Sequence, residues 1–533
     1  MRFTKTAAGS SIDHTRKGYT TMARKPNIVI IMTDQQRYDS IRANGNSSVH
    51  TPGLDALAAS GVTFERAYAN CPECVPARHE VISGLSALRT GVLSNAVGTL
   101  DPQTPTLMKV LRENGYHTQA IGKMHFKPTR EHFGFHGMKL SEEGAKADGN
   151  DEHMEYLKRL GYVEHVPEVN GMRSHMYYIP QVSQLPKEHH STHWIADESI
   201  KYIDEKARSN EPFFLFTSFI QPHPPFDAPT PYQYKYAPNE MQPPVMGKYD
   251  NAEHYNYWQI RQNLYKCNIQ DPYFLKTMRA FYHGTVKFVD DMIGRIIDAI
   301  AKNGMREDTI IFFVSDHGES LGDHGCFGKR SWFEGPARIP YIFSRPGHIA
   351  AGVRNGTLAG HTDIMPTLLS LAGIGHDCHT DGIDLSRAMN DGAKVRDTLF
   401  GVLDFGPKNG SLHAVITDEW KYMFSTADGR RTLVNYRKDA SECEHFEYDA
   451  AYSDIIGGCE AKLHEQYEKF GVADRYFSGK ELIDLDLPIA REIRELYLHP
   501  ENASNKGRIF QLPTWFPPAK AMASRISDFD RIF

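Results

Sequence analysis

The residues with the clearest chemical potential are Cys74-Val75-Pro76-Ala77-Arg78, which run on through His79-Glu80-Val81-Ile82-Ser83-Gly84. A proline two residues after the cysteine suits the first turn of a helix, where its missing N–H costs nothing. Cys74 is thereby placed at a helix N-terminus, where free backbone N–H groups and the helix dipole favour an anion and lower a thiol's pKa. Arg78, one turn on, shares that helix face and adds a fixed positive charge. On these residues alone two other readings stay open. One is a buried cysteine acting as a small hydrophobe; the other is Cys71-Pro72-Glu73-Cys74 as a redox dithiol or half a zinc site.

Further candidates sit at the ends of apolar runs. Asn27 to Met32 is a nearly continuous β-branched stretch, the pattern of a strand buried on both faces of a parallel sheet, and it delivers Thr33-Asp34-Gln35. Thr309 to Val314 repeats the pattern and delivers Ser315-Asp316-His317-Gly318-Glu319. Ligands of open α/β sheets gather at the carboxyl ends of strands, so Asp34 and Asp316 are candidate ligands, with turn or helix caps as the alternative. A strand at Thr118 to Ile121 leads into Gly122-Lys123-Met124-His125, where an extended backbone would turn Lys123 and His125 to one side. Phe213 to Phe219 runs into Gln221-Pro222-His223-Pro224-Pro225, which holds His223 between prolines. Lys329 follows Gly328 in a glycine-rich loop.

The elements that must position these residues alternate between strand and helix patterns. Thr104-Pro105 is expected to open a helix ending at Asn114-Gly115, and Pro272 to Asn303 carries an apolar face at Phe288, Val289, Met292, Ile296, Ile297 and Ile300. Ile339 to Phe343 reads as a strand and His361 to Ala372 as a helix, whereas Phe126 to His190 reads as an insertion of loops and short helices and Pro229 to Asn268 as an irregular, Tyr-rich one, both expected to carry specificity. After Leu399 the strands become shorter and more polar, as in antiparallel hairpins. The expected fold is α/β: a large mixed, mostly parallel sheet sandwiched by helices, with a smaller C-terminal α+β domain. The expected divisions are a disordered or non-native tail at 1–24, a main domain at 25–398, an antiparallel-sheet domain at 399–487 and a docking or oligomer-contact tail at 488–533.

Composition narrows the class. Over 533 residues, 60 basic and 66 acidic side chains leave a net charge of −6, which offers no basic footprint for nucleic acid. No apolar run has the length of a secretory signal or a membrane span. Seven thinly spread cysteines are no disulfide framework, so a cytoplasmic, reducing setting is expected.

Asp34, Cys74-Val75-Pro76-Ala77-Arg78, Gly122-Lys123-Met124-His125, His223 and Ser315-Asp316-His317-Gly318 occur in the order and context seen in the sulfatase family. The chain resembles that family from roughly Pro26 to Gly373 and more weakly beyond. The resemblance implies an alkaline-phosphatase-like sulfuric ester hydrolase that converts a sulfate monoester to alcohol and inorganic sulfate. It implies that Cys74 is oxidised after translation to formylglycine, an aldehyde that hydrates to a geminal diol. One hydroxyl attacks sulfur at the metal and expels the alcohol; deprotonation of the other collapses the diol and releases sulfate.

Position by position, the resemblance makes Asp34, Gln35, Asp316, His317 and the modified Cys74 the ligands of one divalent metal. Arg78 and Lys123 would hold the formylglycine hydrate, and His125 would be the base for its collapse. His223 and Lys329 would contact sulfate and leaving group, with Asn95 as a further sulfate contact. Two positions depart from most sulfatases: Gln35 stands for an Asp and His317 for an Asn, as in phosphonate monoester hydrolases of the same superfamily. Calcium (Ca2+) is the expected ion, and the neutral amide and imidazole make Mn2+ its rival. Gly122-Lys123-Met124-His125-Phe126 is similar to choline sulfatases. The expected partners are a small-molecule or saccharide sulfate ester and a formylglycine-generating maturase. The alternatives are a phosphonate monoester or phosphodiester hydrolase and, in another class, a C-x-x-C redox protein, which leaves the strand-end acids without a role.

Overall fold

The computed structural model describes residues 25–144, 149–162, 178–209, 211–247, 271–488 and 490–491. The expected tail at 1–24, nearly all of the tail at 488–533, Cys267 and parts of both insertions lie outside the described residues.

An eight-stranded sheet runs, edge to edge, β4 (Gly137–Leu140), β3 (His117–Gly122), β5 (Phe213–Pro222), β1 (Asn27–Asp34), β6 (Thr309–Ser315), β7 (Tyr341–Ser344), β2 (Val62–Ala67) and β8 (Val353–Ala359). All pairings are parallel except those of β7, which is antiparallel to both β6 and β2, so the sheet is mixed and mostly parallel as expected. β1 is buried along its whole length, and its side chains alternate between two cores. Ile28, Ile30 and Met32 pack with Val81, Leu107, Leu111, Leu368 and their neighbours on one face. Val29 and Ile31 pack on the other with Leu54, Ile195, Phe288 and Ile296, from the helices Pro52–Ala59, Ser191–Lys206 and Pro272–Lys302. Two helical layers thus enclose the sheet, which is why its strands read as unbroken apolar runs.

Three local expectations are corrected. The helix expected to open at Thr104-Pro105 spans Leu107–Glu113, and the Thr106 side chain caps it by accepting from Lys109 N; Pro105 stands before the cap. The strand expected at Ile339 to Phe343 is Tyr341–Ser344. The 126–190 insertion contributes β4 to the sheet edge, a strand not expected there because a four-residue edge strand is too short to show periodicity; its helix at Glu152–Arg159 agrees with the short helices expected there.

A second, antiparallel sheet has the order β12 (Arg431–Val434), β11 (Lys421–Ser425), β10 (Ser411–Ile416), β9 (Leu399–Asp404). One face packs Leu412, Ala414 and Ile416 against Tyr68 and Trp332 of the main body. The other packs Val415, Tyr422 and Leu433 against Leu463 and Tyr467 of the Ser453–Phe470 helix.

Glu80 supplies a first test of the packing. Its Oε1 accepts from Ala87 N at 3.0 Å, and Oε2 lies 3.9 Å from His361 Nδ1. Burial pushes this carboxyl up to about 8, with Asp381 and Asp363 adding to the effect. The folded state therefore keeps a proton that the unfolded chain releases near pH 4.5, and stability falls as pH rises between these values. Thermal or urea unfolding should show wild type losing up to about 1.4 kcal/mol per pH unit relative to Glu80→Gln across that window. Parallel pH profiles would show that Glu80 is already ionised.

Candidate active site

Four adjacent parallel strands, β3, β5, β1 and β6, end at one edge of the sheet, and each carries a candidate there or just beyond: Lys123, His223, Asp34 and Asp316. The Cys74–Ser83 helix starts beside them, with Cys74 as its first helical residue. Ligand-capable atoms of Asp34, Cys74, Asp316 and His317 all lie within 4.8 Å of one another, and all four side chains are buried.

Arg78 organises the two carboxylates. Its Nη2 pairs with Asp34 Oδ2 at 3.1 Å and its Nε with Asp316 Oδ2 at 2.9 Å, while Nη1 donates to Lys123 O and Ser218 Oγ. The other oxygen of each carboxylate is turned toward His317 Nε2, at 3.8 Å from Asp34 Oδ1 and 3.7 Å from Asp316 Oδ1. His317 Nδ1 faces the Gly318 carbonyl at 2.9 Å. A carbonyl only accepts, so Nδ1 carries a proton and Nε2 is the ring atom turned into the cluster, where burial opposes the imidazolium but Asp316 and Cys74 raise the imidazole's pKa. Burial and the neighbouring Asp34 push the Asp316 carboxyl up to about 6. Asp34 moves the opposite way: burial and Cys74 oppose its ionisation, but Lys123, His223 and Lys329 pull it below the usual carboxylate range.

Cys74 Sγ is 2.8 Å from Lys329 Nζ and 3.3 Å from His317 Nε2. Burial alone would raise this thiol's pKa, but Lys329, Lys123, His317 and a hydrogen bond from His125 hold it well below the ordinary value. The anion-friendly setting expected from the helix terminus thus has a different source. Val75 N donates to Asn95 Oδ1 at 2.9 Å, and Pro76 has no N–H, so side-chain cations replace the backbone donors. Asn95 Oδ1 is engaged by the start of this helix, which leaves the amide NH2 as the group that a sulfate contact would use, and Asn95 N donates to Glu73 Oε2.

Lys123 Nζ pairs with Asp34 Oδ2 at 2.6 Å and with Glu143. The extended backbone expected from Lys123 to His125 is not what brings them together: Gly122 has φ 98° and His125 φ 52°. The Glu142 carboxylate accepts from both Met124 N and His125 N and holds this left-handed turn. Gln35, also left-handed at φ 66°, places Oε1 3.2 Å from Lys329 Nζ while its amide N donates to Glu319. His223 Nδ1 faces the Pro224 carbonyl at 2.9 Å, leaving Nε2 toward Glu143; burial pulls this imidazole down to about 4. Cys71 stands apart from this chemistry, as a free buried thiol whose pKa burial raises, packed with Tyr68, Ala87 and Leu93.

Sequence reasoning missed Glu142, Glu143, Ser218 and the role of Glu319. Glu319 directly follows Asp316-His317-Gly318 and was within reach of motif reading; the others carried no local signal.

A buried acid and imidazole cluster with lysines converging on one activated side chain, at the carboxyl edge of an alkaline-phosphatase-like sheet, defines a hydrolase of anionic esters. The profile of the Sulfatase family matches residues 26–374, and one described as N-sulphoglucosamine sulphohydrolase, C-terminal, matches residues 322–469. The chain is 31% identical to an arylsulfatase of Clostridium perfringens over 477 residues, 86% of this chain and 97% of that one. It is 28% identical to a choline-sulfatase of Rhizobium meliloti over 419 residues, covering 76% and 79%. Among solved structures, the phosphonate monoester hydrolase of Agrobacterium radiobacter superposes with a TM-score of 0.73 at 26% identity, covering 84% and 96%. The chain belongs to the sulfatase family and is a sulfuric ester hydrolase. No helix among the described residues is long and apolar enough to cross a membrane.

Proposed function

We propose that the enzyme cleaves a sulfate monoester to an alcohol and inorganic sulfate, with Cys74, matured to formylglycine, as the source of the nucleophilic oxygen. The observation that carries this is the position of Cys74 Sγ, 2.8 Å from Lys329 Nζ and 3.3 Å from His317 Nε2 at the centre of the acid cluster. Sγ here stands in for the hydrate oxygens. Arg78 holds Asp34 and Asp316 in place, and Lys123 and Lys329 offset the charge of the sulfuryl group. His125 takes the proton when the hydrate collapses. His223 faces the ester, whose negative charge favours its protonation for transfer to the leaving alcohol.

The donor set fits a divalent cation. Two carboxylate oxygens and the imidazole Nε2 converge, where a cation would displace any Nε2 proton, and Arg78 pairs with the far oxygens. Asp34, Gln35, Asp316, His317 and the matured Cys74 are the proposed ligands of Ca2+, with Mn2+ as rival; the ion would supply Lewis-acid charge to the nucleophilic oxygen. Dialysis against a chelator should lower both melting temperature and turnover, and one equivalent of the native ion, identified by elemental analysis, should restore both. Unchanged melting and turnover after complete metal removal would refute the metal site.

The arylsulfatase and choline-sulfatase relatives support a small aryl, alkyl or saccharide sulfate as substrate. Likeness to a phosphonate monoester hydrolase supports a second reading, a phosphonate monoester or phosphodiester, which a panel of sulfate, phosphonate and phosphate esters would rank. Cys74 maturation requires a formylglycine-generating partner, and seven cysteines thinly spread over 533 residues support a reducing, cytoplasmic setting. We assign residues 25–398 to the catalytic domain and 399–487 to a supporting one.

A further inference from the structure

Glu143 belongs to no motif, yet it sits among the reacting groups. Its carboxylate is ion-paired to Lys123 Nζ, and its Oε2 is 3.5 Å from His223 Nε2. A carboxylate oxygen of Glu143, Cys74 Sγ and a ring nitrogen of His223 all lie within 4.8 Å of one another. Its side chain is 13% exposed, against 0% for Lys123 and 1% for His223, so it marks the solvent side of the cluster. Lys123 does not need it for charge balance, because Asp34 Oδ2 is already 2.6 Å away. A negative charge on the wall of a seat built for an anion weakens binding of every anion, and weakens it more for each additional charge the ligand brings.

We infer that Glu143 is a specificity-determining residue for ester charge, which admits singly charged esters ahead of doubly charged ones. A sulfate monoester carries one negative charge at all relevant pH values. A phosphate monoester loses its second proton near pH 6 and is a dianion above it. The extra charge meets Glu143 beside Lys123 and His223, two of the groups that would otherwise receive it. This inference rests on the sulfate-ester reading of the Cys74 site.

The test compares kcat/KM for para-nitrophenyl sulfate and para-nitrophenyl phosphate, which share a leaving group, in wild type, Glu143→Gln and Glu143→Asp. Glu143→Gln keeps the shape and removes the charge. At about pH 8 it should raise the phosphate-to-sulfate ratio on the order of tenfold, while Glu143→Asp stays near wild type. The gain should shrink as pH falls through the second pKa of this aryl phosphate, which its nitro group places below that of an alkyl phosphate and under which it is a monoanion, a dependence that a purely structural role would not produce. An unchanged or lowered ratio in folded Glu143→Gln, judged by its thermal melt, overturns the inference while the sulfate reading stands. If the matured wild type turns over the sulfate ester no faster than Cys74→Ala does, the sulfate reading falls and the inference with it.

Discussion

Replacing Cys74 by Ala is expected to abolish sulfate-ester hydrolysis, by on the order of 10⁴-fold or more in kcat, with the fold retained. The side chain is small, and its removal leaves Asp34, Asp316 and Arg78 paired as before. What disappears is the atom that the lysines, His317 and His125 are arranged around. Mass spectrometry of the Cys74 peptide adds an independent check. Material matured in cells that possess the modifying enzyme should carry the aldehyde, and its activity should scale with the aldehyde fraction. A persistent thiol in fully active enzyme, or substantial turnover by Cys74→Ala, would sink the assignment.

The second large effect is on stability. Arg78 is buried and compensates two buried carboxylates at once while donating to Lys123 O and Ser218 Oγ. Burial opposes its charge, but Asp316 and Asp34 hold its pKa above the ordinary arginine value. Arg78→Ala leaves both carboxylates without that partner in a buried site, a class of change that costs about 3–5 kcal/mol. Urea unfolding of the metal-free protein should show this loss, and the divalent ion should recover part of it by supplying the missing positive charge. Arg78→Lys should rescue incompletely, since one ammonium cannot span both acids in the way a planar guanidinium does. A loss below about 1 kcal/mol without metal would mean that the acids are not held as charged partners of Arg78.

Much of the site was legible because its signals are local. β-branched runs announce buried parallel strands, and the residues just past such a strand sit at its carboxyl end, so Asp34 and Asp316 could be placed together from the pattern alone. Pro76 marked the start of the helix that presents Cys74. Where contacts are long-range, local reading gave incomplete or wrong reasons. No local feature shows that Asn95 Oδ1 accepts from Val75 N, at the start of a helix 20 residues upstream. Lys123 and His125 do face one site, but through a left-handed turn held by Glu142, not through extended backbone.

By itself the sequence determined the strand and helix alternation, the sulfatase motifs and hence the candidate residues for the reaction, because each depends on side chains near one another along the chain. Only the tertiary structure decided what surrounds them. Lys329 reaches Cys74 across 255 residues, and Glu319 orients Gln35 across 284. Glu143 reaches Lys123 and His223 from an insertion without periodicity. The physical reason is that thiol activation and carboxylate ionisation are set by charges within a few ångströms in a desolvated space, and that neighbourhood exists only once the sheet has brought its strand ends together.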